Sequence, residues 1–124
     1  MILLLDTHVV LWWQTDDRRL KHQARKAIAE ADVVLVSAAS AWEASIKIAL
    51  GRLRFDEPFP LLVRTNDFTE LSITLQHASR LAELPPHHAD PFDRLLVAQA
   101  LVERATLVTH DRAFEPYGVG VIWT

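Results

Sequence analysis

Apolar residues along this 124-residue chain fall in two rhythms. Short unbroken runs occupy Ile2–Leu5, Val33–Val36, Thr106–Thr109 and Val119–Ile122, with a weaker one at Leu71–Ile73. Runs of this length, without polar alternation, are expected of strands buried on both faces of a parallel sheet. Between them apolar residues recur at helical spacing. Lys21–Ala31 is rich in Ala, Lys, Arg and Glu, and Leu20, Ala24, Ala27, Ile28 and Ala31 mark its buried face. Ala38–Leu50 predicts a second helix, capped by Ser37 and stopped by Gly51. Val9 to Trp13 read as the buried start of a helix that Thr7 caps. Pro60–Asp67 and Leu75–Leu84 predict shorter helices, and Pro91–Arg104 the best-defined one, with Leu95, Leu96, Ala98, Leu101 and Val102 inward. Pro85-Pro86-His87-His88 is a rigid loop, because the prolines fix the backbone and break any helix. Strands alternating with helices predict βαβ units, hence an α/β fold with a parallel sheet in one domain over residues 1–124.

Composition narrows the class. Half the residues are hydrophobic and 23% are charged, enough apolar material for a real core. There is no cysteine, which removes disulfides and thiolate metal sites and suits a reducing cytoplasm. No Lys or Arg precedes the N-terminal apolar run, and Asp6 and His8 interrupt it, so it does not read as a signal peptide. No stretch approaches a membrane span, and no membrane partner is expected. The net charge of −3 argues weakly against nucleic acid. Four acids set aside for a cation site would leave the remainder at about +1, and a cation-filled site can still receive a phosphate chain.

The acids carry the chemistry. Asp6 follows the first buried strand, where open α/β sheets bind ligands; it also suits the cap of the next helix. Glu43 stands alone in a small, apolar stretch of helix, with Lys47 four residues on. That pair is either a surface ion pair or a carboxylate aimed into a site, with Lys47 orienting it or meeting a phosphate. Asp90 reads as an N-cap before Pro91, while Asp93 sits one turn into the helix beside Arg94, a plausible phosphate contact. Asp111 follows another buried strand after Thr109 and His110, and would equally cap the Arg112–Phe114 segment. In a right-handed α/β sheet all four places open on one edge. Four clustered carboxylates repel one another unless a cation joins them, and oxygen ligands suit Mg²⁺ or Mn²⁺, which activate water and stabilise charge on a phosphodiester.

With these residues placed, the chain resembles the PIN-domain family, specifically the VapC-type ribonuclease toxins of toxin–antitoxin pairs. The matching stretches are Leu3-Leu4-Leu5-Asp6-Thr7, Ser40-Ala41-Trp42-Glu43 with Lys47 and Gly51, Asp90-Pro91-Phe92-Asp93-Arg94-Leu95-Leu96, and Leu107-Val108-Thr109-His110-Asp111. They run from end to end in the family's order. The resemblance implies a three-layer PIN-like fold, with a central parallel sheet of four to five strands and helices on both faces. It implies an Mg²⁺- or Mn²⁺-dependent endoribonuclease whose acids are Asp6, Glu43, Asp93 and Asp111. It further implies a homodimer inhibited by a cognate antitoxin lying in a groove, for which Trp12, Trp13, Leu50 and Leu53 are candidates.

Thr7, Lys47, Arg94, Thr109, His110 and Arg112 are candidate contacts to RNA or its phosphates, as are Arg52 and Arg54. Three other readings compete. His87-His88 beside Asp90 suggests zinc, but adjacent histidines on an extended loop point to opposite sides and no third histidine lies close in sequence. A phosphoacceptor signalling domain also places acids at strand ends, yet it needs paired acids after the first strand and a Lys after the last, and no Lys follows Lys47. The remaining alternative is a catalytically silent binding module.

Overall fold

The structure is a computed structural model and describes residues 1–124. Five strands form one wholly parallel sheet: β1 (Ile2–Leu5), β2 (Val33–Ser37), β3 (Thr69–Leu71), β4 (Thr106–Thr109) and β5 (Val121–Trp123), in the order β3-β2-β1-β4-β5. Register sets Leu3 beside Val34 on one side and beside Thr106 on the other. Six α-helices connect and cover the strands: α1 (Thr7–Thr15), α2 (His22–Glu30), α3 (Ala38–Ala49), α4 (Phe59–Thr65), α5 (Leu75–Arg80) and α6 (Pro91–Glu103). Short 3₁₀ turns occupy Leu81–Glu83 and Arg112–Tyr117.

Alternation along β1 splits the core in two. Leu3 and Leu5 join Val34, Val36 and Val108 under α1, α2 and α4. Leu4 joins Leu35, Leu107, Leu96, Val97 and Phe114 on the α6 face. All three leucines are fully buried, each worth about 1.5–3 kcal/mol of burial. β1 therefore cannot move without disturbing both layers, and the residue at its carboxyl end inherits that rigidity. α3 contacts both α1 and α6, and so brings its own side chains to the same end of the sheet.

Several boundaries differ from the sequence expectation. The strand expected at Leu71–Ile73 is Thr69–Leu71, and the last begins at Val121 rather than Val119. Gly120 accepts a hydrogen bond from Leu107 N at 2.9 Å at the entrance to the last strand. Leu75–Leu84 divides into α5 and a 3₁₀ turn. Ser37 caps α3 as expected, accepting from Ala39 N at 3.0 Å. Thr7 does not cap α1. It is that helix's first residue, and its hydroxyl points elsewhere.

Candidate metal centre

Asp6 ends β1. Its N–H donates to Val108 O at 3.0 Å and its carbonyl accepts from Val10 N at 3.1 Å, so strand pairing and helix start together fix its backbone. Its side chain makes no capping bond. Instead Asp6 Oδ2 accepts from Thr109 Oγ1 at 2.7 Å, across the β1–β4 pair. Thr109 Oγ1 in turn accepts from Asp111 N at 3.0 Å. Glu43 is buried on α3. Thr7 Oγ1 donates to Glu43 Oε1 at 2.7 Å and lies 3.0 Å from Ser40 Oγ, while Lys47 Nζ donates to Glu43 Oε2 at 3.0 Å.

Asp90 is the cap of α6, accepting from Phe92 N at 2.8 Å and Asp93 N at 3.2 Å. Pro91 occupies the first turn, where its missing N–H is harmless. Asp93 is thereby carried one turn in. Asp111 caps the last 3₁₀ turn through Ala113 N at 3.0 Å, and its second oxygen remains free to face inward.

These elements enclose a cavity of about 240 Å³ lined by Asp6, His8, Glu43, Lys47, His88, Asp90, Asp93, His110 and Asp111, with no apolar residue among them. All four predicted acids are therefore brought together from four separated segments. Burial raises the Asp6 carboxyl above the usual range. Asp93 is pushed up to about 8 by burial first, and then by the charges of Asp6, Asp90, Glu43 and Asp111. A carboxyl raised by like neighbours is one that a cation would relieve. His88 Nε2, Asp93 Oδ2 and Asp111 Oδ2 lie in a triplet of donor atoms all within 4.8 Å of one another. A wall of five carboxylates with three imidazoles and Lys47 among them fits a divalent ion of the Mg²⁺ or Mn²⁺ type.

The other candidates divide. Lys47 and His110 line the cavity. Thr7 and Thr109 hold Glu43 and Asp6 respectively. Arg94 does not line the cavity; it donates to Pro85 O at 3.0 Å, Tyr117 Oη at 3.2 Å and Leu81 O at 3.4 Å, clamping the proline loop. Arg112 stacks over Trp123, 4.1 Å from the ring centre. Arg52 and Arg54 are exposed and lie outside the cavity lining. Trp12 is core, and Trp13 packs on Phe68 and donates to Asn66 Oδ1 at 3.0 Å, whereas Leu50 is exposed. His87 and His88 do turn apart: His87 packs on Tyr117, and His88 enters the cavity.

His8 and Ser40 were not among the sequence candidates. His8 lies two residues past Asp6 in the first turn of α1, a spacing that keeps it near the strand end. Ser40 precedes Glu43 by three on α3, the spacing of one helix face.

The PIN domain family model matches residues 3–119. Ribonuclease VapC22 of Mycobacterium tuberculosis is 36% identical over 118 residues, covering 89% of this chain and 87% of that protein. Among solved structures, VapBC2 from Rickettsia felis bound to a promoter DNA fragment superposes with a TM-score of 0.73 at 15% identity, covering 98% of each chain. VapBC-1 from nontypeable Haemophilus influenzae gives 0.69 at 16% identity, over 99% of this chain and 98% of that one.

Proposed function

The chain belongs to the PIN-domain family, and from that premise we propose that it is the ribonuclease toxin of a toxin–antitoxin pair, hydrolysing RNA with a divalent cation. The observation that carries this reading is the convergence of Asp6, Glu43, Asp93 and Asp111 on one cavity without apolar lining. Asp6, Glu43, Asp93 and Asp111 would hold a divalent cation there, which would supply charge neutralisation at a phosphodiester and activation of a water. The protein's own groups do the positioning. Thr109 and Thr7 donate hydrogen bonds to Asp6 and Glu43 respectively, which orients these carboxylates ahead of substrate. Lys47 is part-exposed at the cavity wall, with ammonium protons left over from its Glu43 contact to meet a phosphate oxygen. His8 and His110 pack edge to face at 5.6 Å on the cavity lining, where their rings can meet an RNA phosphate or base.

Two surfaces support the proposed partners. Trp42 and Ile46 on α3 and Leu50 at its C-cap are exposed at four-residue steps, a stripe suited to a homodimer contact. Two adjoining cavities of about 160 and 320 Å³ share Ala41, Phe59 and Pro60, and form a largely apolar trough for an antitoxin segment. No helix is long and apolar enough to cross a membrane. RNA hydrolysis would take place in the cytoplasm.

The test is incubation of partner-free protein with total cellular RNA in Mg²⁺, Mn²⁺ or EDTA. Discrete, metal-dependent fragments are expected, and their ends identify the target. No cleavage and no metal binding by folded protein would put the binding-module reading first.

A further inference from the structure

Two histidines of this chain, His77 and His88, are largely withdrawn from solvent, and they are treated very differently. His77 has both ring nitrogens occupied: Nε2 lies 2.8 Å from Glu103 Oε2, and Nδ1 accepts from Thr74 N at 3.1 Å. That is a histidine serving structure. His88 Nε2 is buried at the cavity wall and has no hydrogen-bond partner. Yet it lies 2.9 Å from Asp93 Oδ2 and 3.6 Å from Asp111 Oδ2. Buried polar atoms are almost always paired, and leaving one orphaned is costly.

The ring is not there by accident of a loose loop. His88 N donates to Tyr117 Oη at 2.9 Å, and Arg94 bonds both that hydroxyl and Pro85 O. The imidazole packs against Phe114, which is fully buried. Tyr117 closes the 3₁₀ turn that Asp111 opens, so the loop carrying His88 is fastened to the element carrying its neighbour.

We propose that His88 Nε2 is a nitrogen ligand to the divalent ion of this site, held jointly with Asp93 and Asp111. The assignment rests on the metal-dependent reading above. Two atoms that approach to 2.9 Å without hydrogen-bond alignment are spaced as ligands of a shared ion. Neighbouring ligands of an octahedral ion, each at about 2.1 Å, stand about 3.0 Å apart. Ligation requires the Nε2 lone pair. In the ion-free ring Nδ1 accepts from Asp90 N at 3.3 Å, so the ring proton resides on Nε2. On binding, that proton leaves to solvent and Nδ1 gains one, with loss of the long Asp90 contact. A nitrogen donor shifts the site's preference from Mg²⁺ toward Mn²⁺ and later transition ions.

The test uses the full chain, freed of metal and titrated with Mn²⁺ alone, read by electron spin-echo spectroscopy. Bound Mn²⁺ should show nitrogen hyperfine modulation. His88→Gln should abolish it and weaken Mn²⁺ at least about 10-fold. Mg²⁺ affinity should change less. His8→Gln and His110→Gln should keep the modulation, with circular dichroism verifying that each variant folds. Mn²⁺ binding that Asp93→Asn abolishes, without nitrogen modulation in the unmodified protein, would overturn the assignment and leave the nuclease reading intact. Modulation that survives His88→Gln would also overturn it. Folded protein that binds no Mn²⁺ at all would sink both.

Discussion

Asp6 and Glu43 reach the cavity with partners already in place, Thr109 on one and Thr7 with Lys47 on the other. Asp93, Asp111 and His88 reach the same cavity with close approaches and few bonds between them. The difference follows from where each half is built. The first pair hangs on the central strand and on α3, where neighbouring elements supply hydroxyls. The second hangs on a helix start, a 3₁₀ turn and a loop, whose donors are spent on capping and clamping. One half is complete on folding, and on the proposed reading the other would be completed by a cation. Under that proposal, such a division would let the chain fold without an ion while still holding a site for one.

The sharpest way to break this comparison is to remove one acid from each half. Asp6→Asn and Asp93→Asn should each lower RNA cleavage at least about 100-fold, measured on total RNA with Mn²⁺ present. Full cleavage by either variant would mean that its half is dispensable.

Stability should respond next, and asymmetrically. The folded value for Asp93 is about 8, above the usual aspartate value of about 3.9, so the folded chain holds more protons than the unfolded one between these limits. Ion-free stability should therefore fall as pH rises from about 4 to 8, and level off beyond. Asp6, raised in the same direction, adds to that slope. Mn²⁺ at about 100 times its dissociation constant contributes about 2.7 kcal/mol, roughly 10 °C in midpoint for a domain of this size. The gain should be largest near pH 8, and Asp93→Asn should flatten the ion-free slope. Thermal midpoints from pH 5 to 9, with and without Mn²⁺, would decide. A flat ion-free profile would refute the unsatisfied half.

Thr109→Val and Tyr117→Phe then probe the halves one bond at a time. Thr109→Val deprives buried Asp6 of its donor and should cost about 1.5–3 kcal/mol in calorimetry. Tyr117→Phe releases the His88 loop and should cost about 1 kcal/mol or less, with its main effect on Mn²⁺ affinity. Equal stability losses would erase the distinction.

Lys47→Met should have the smallest effect. Its partly exposed pair with Glu43 is worth less than about 1 kcal/mol to stability, and cleavage should fall only several-fold.

Much of this was legible in local patterns. Four short apolar runs marked strands because a strand covered on both faces needs no polar alternation, and their length is too short for a helix. Asp6 and Asp111 were conspicuous as charges ending such runs, and Glu43 as the lone acid of an otherwise apolar helix whose other charge is Lys47. Asp90 before Pro91 declared its cap, and the cap is there. The roles of the two threonines were not legible. Thr7 looked like a cap, and Thr109 like a contact to RNA. Each instead donates to a carboxylate on another segment, an arrangement that exists only once β1 pairs with β4 and α3 packs beside α1. Arg94 looked like a phosphate ligand because of its neighbour Asp93. One position along a helix is a turn of about 100°, enough to send it to the proline loop instead.

Sequence alone, then, determined the alternation of strands and helices, the parallel sheet and the four acids, because periodicity, capping and the placing of charge act over a few residues. Tertiary structure decided how those acids are held and which of two adjacent histidines joins them. His87 and His88 are chemically identical, and what separates them is Tyr117, 29 positions further along, whose hydroxyl takes the His88 N–H while its ring receives His87. No local rule reaches that far. Contacts between distant segments exist only after the chain has closed on itself.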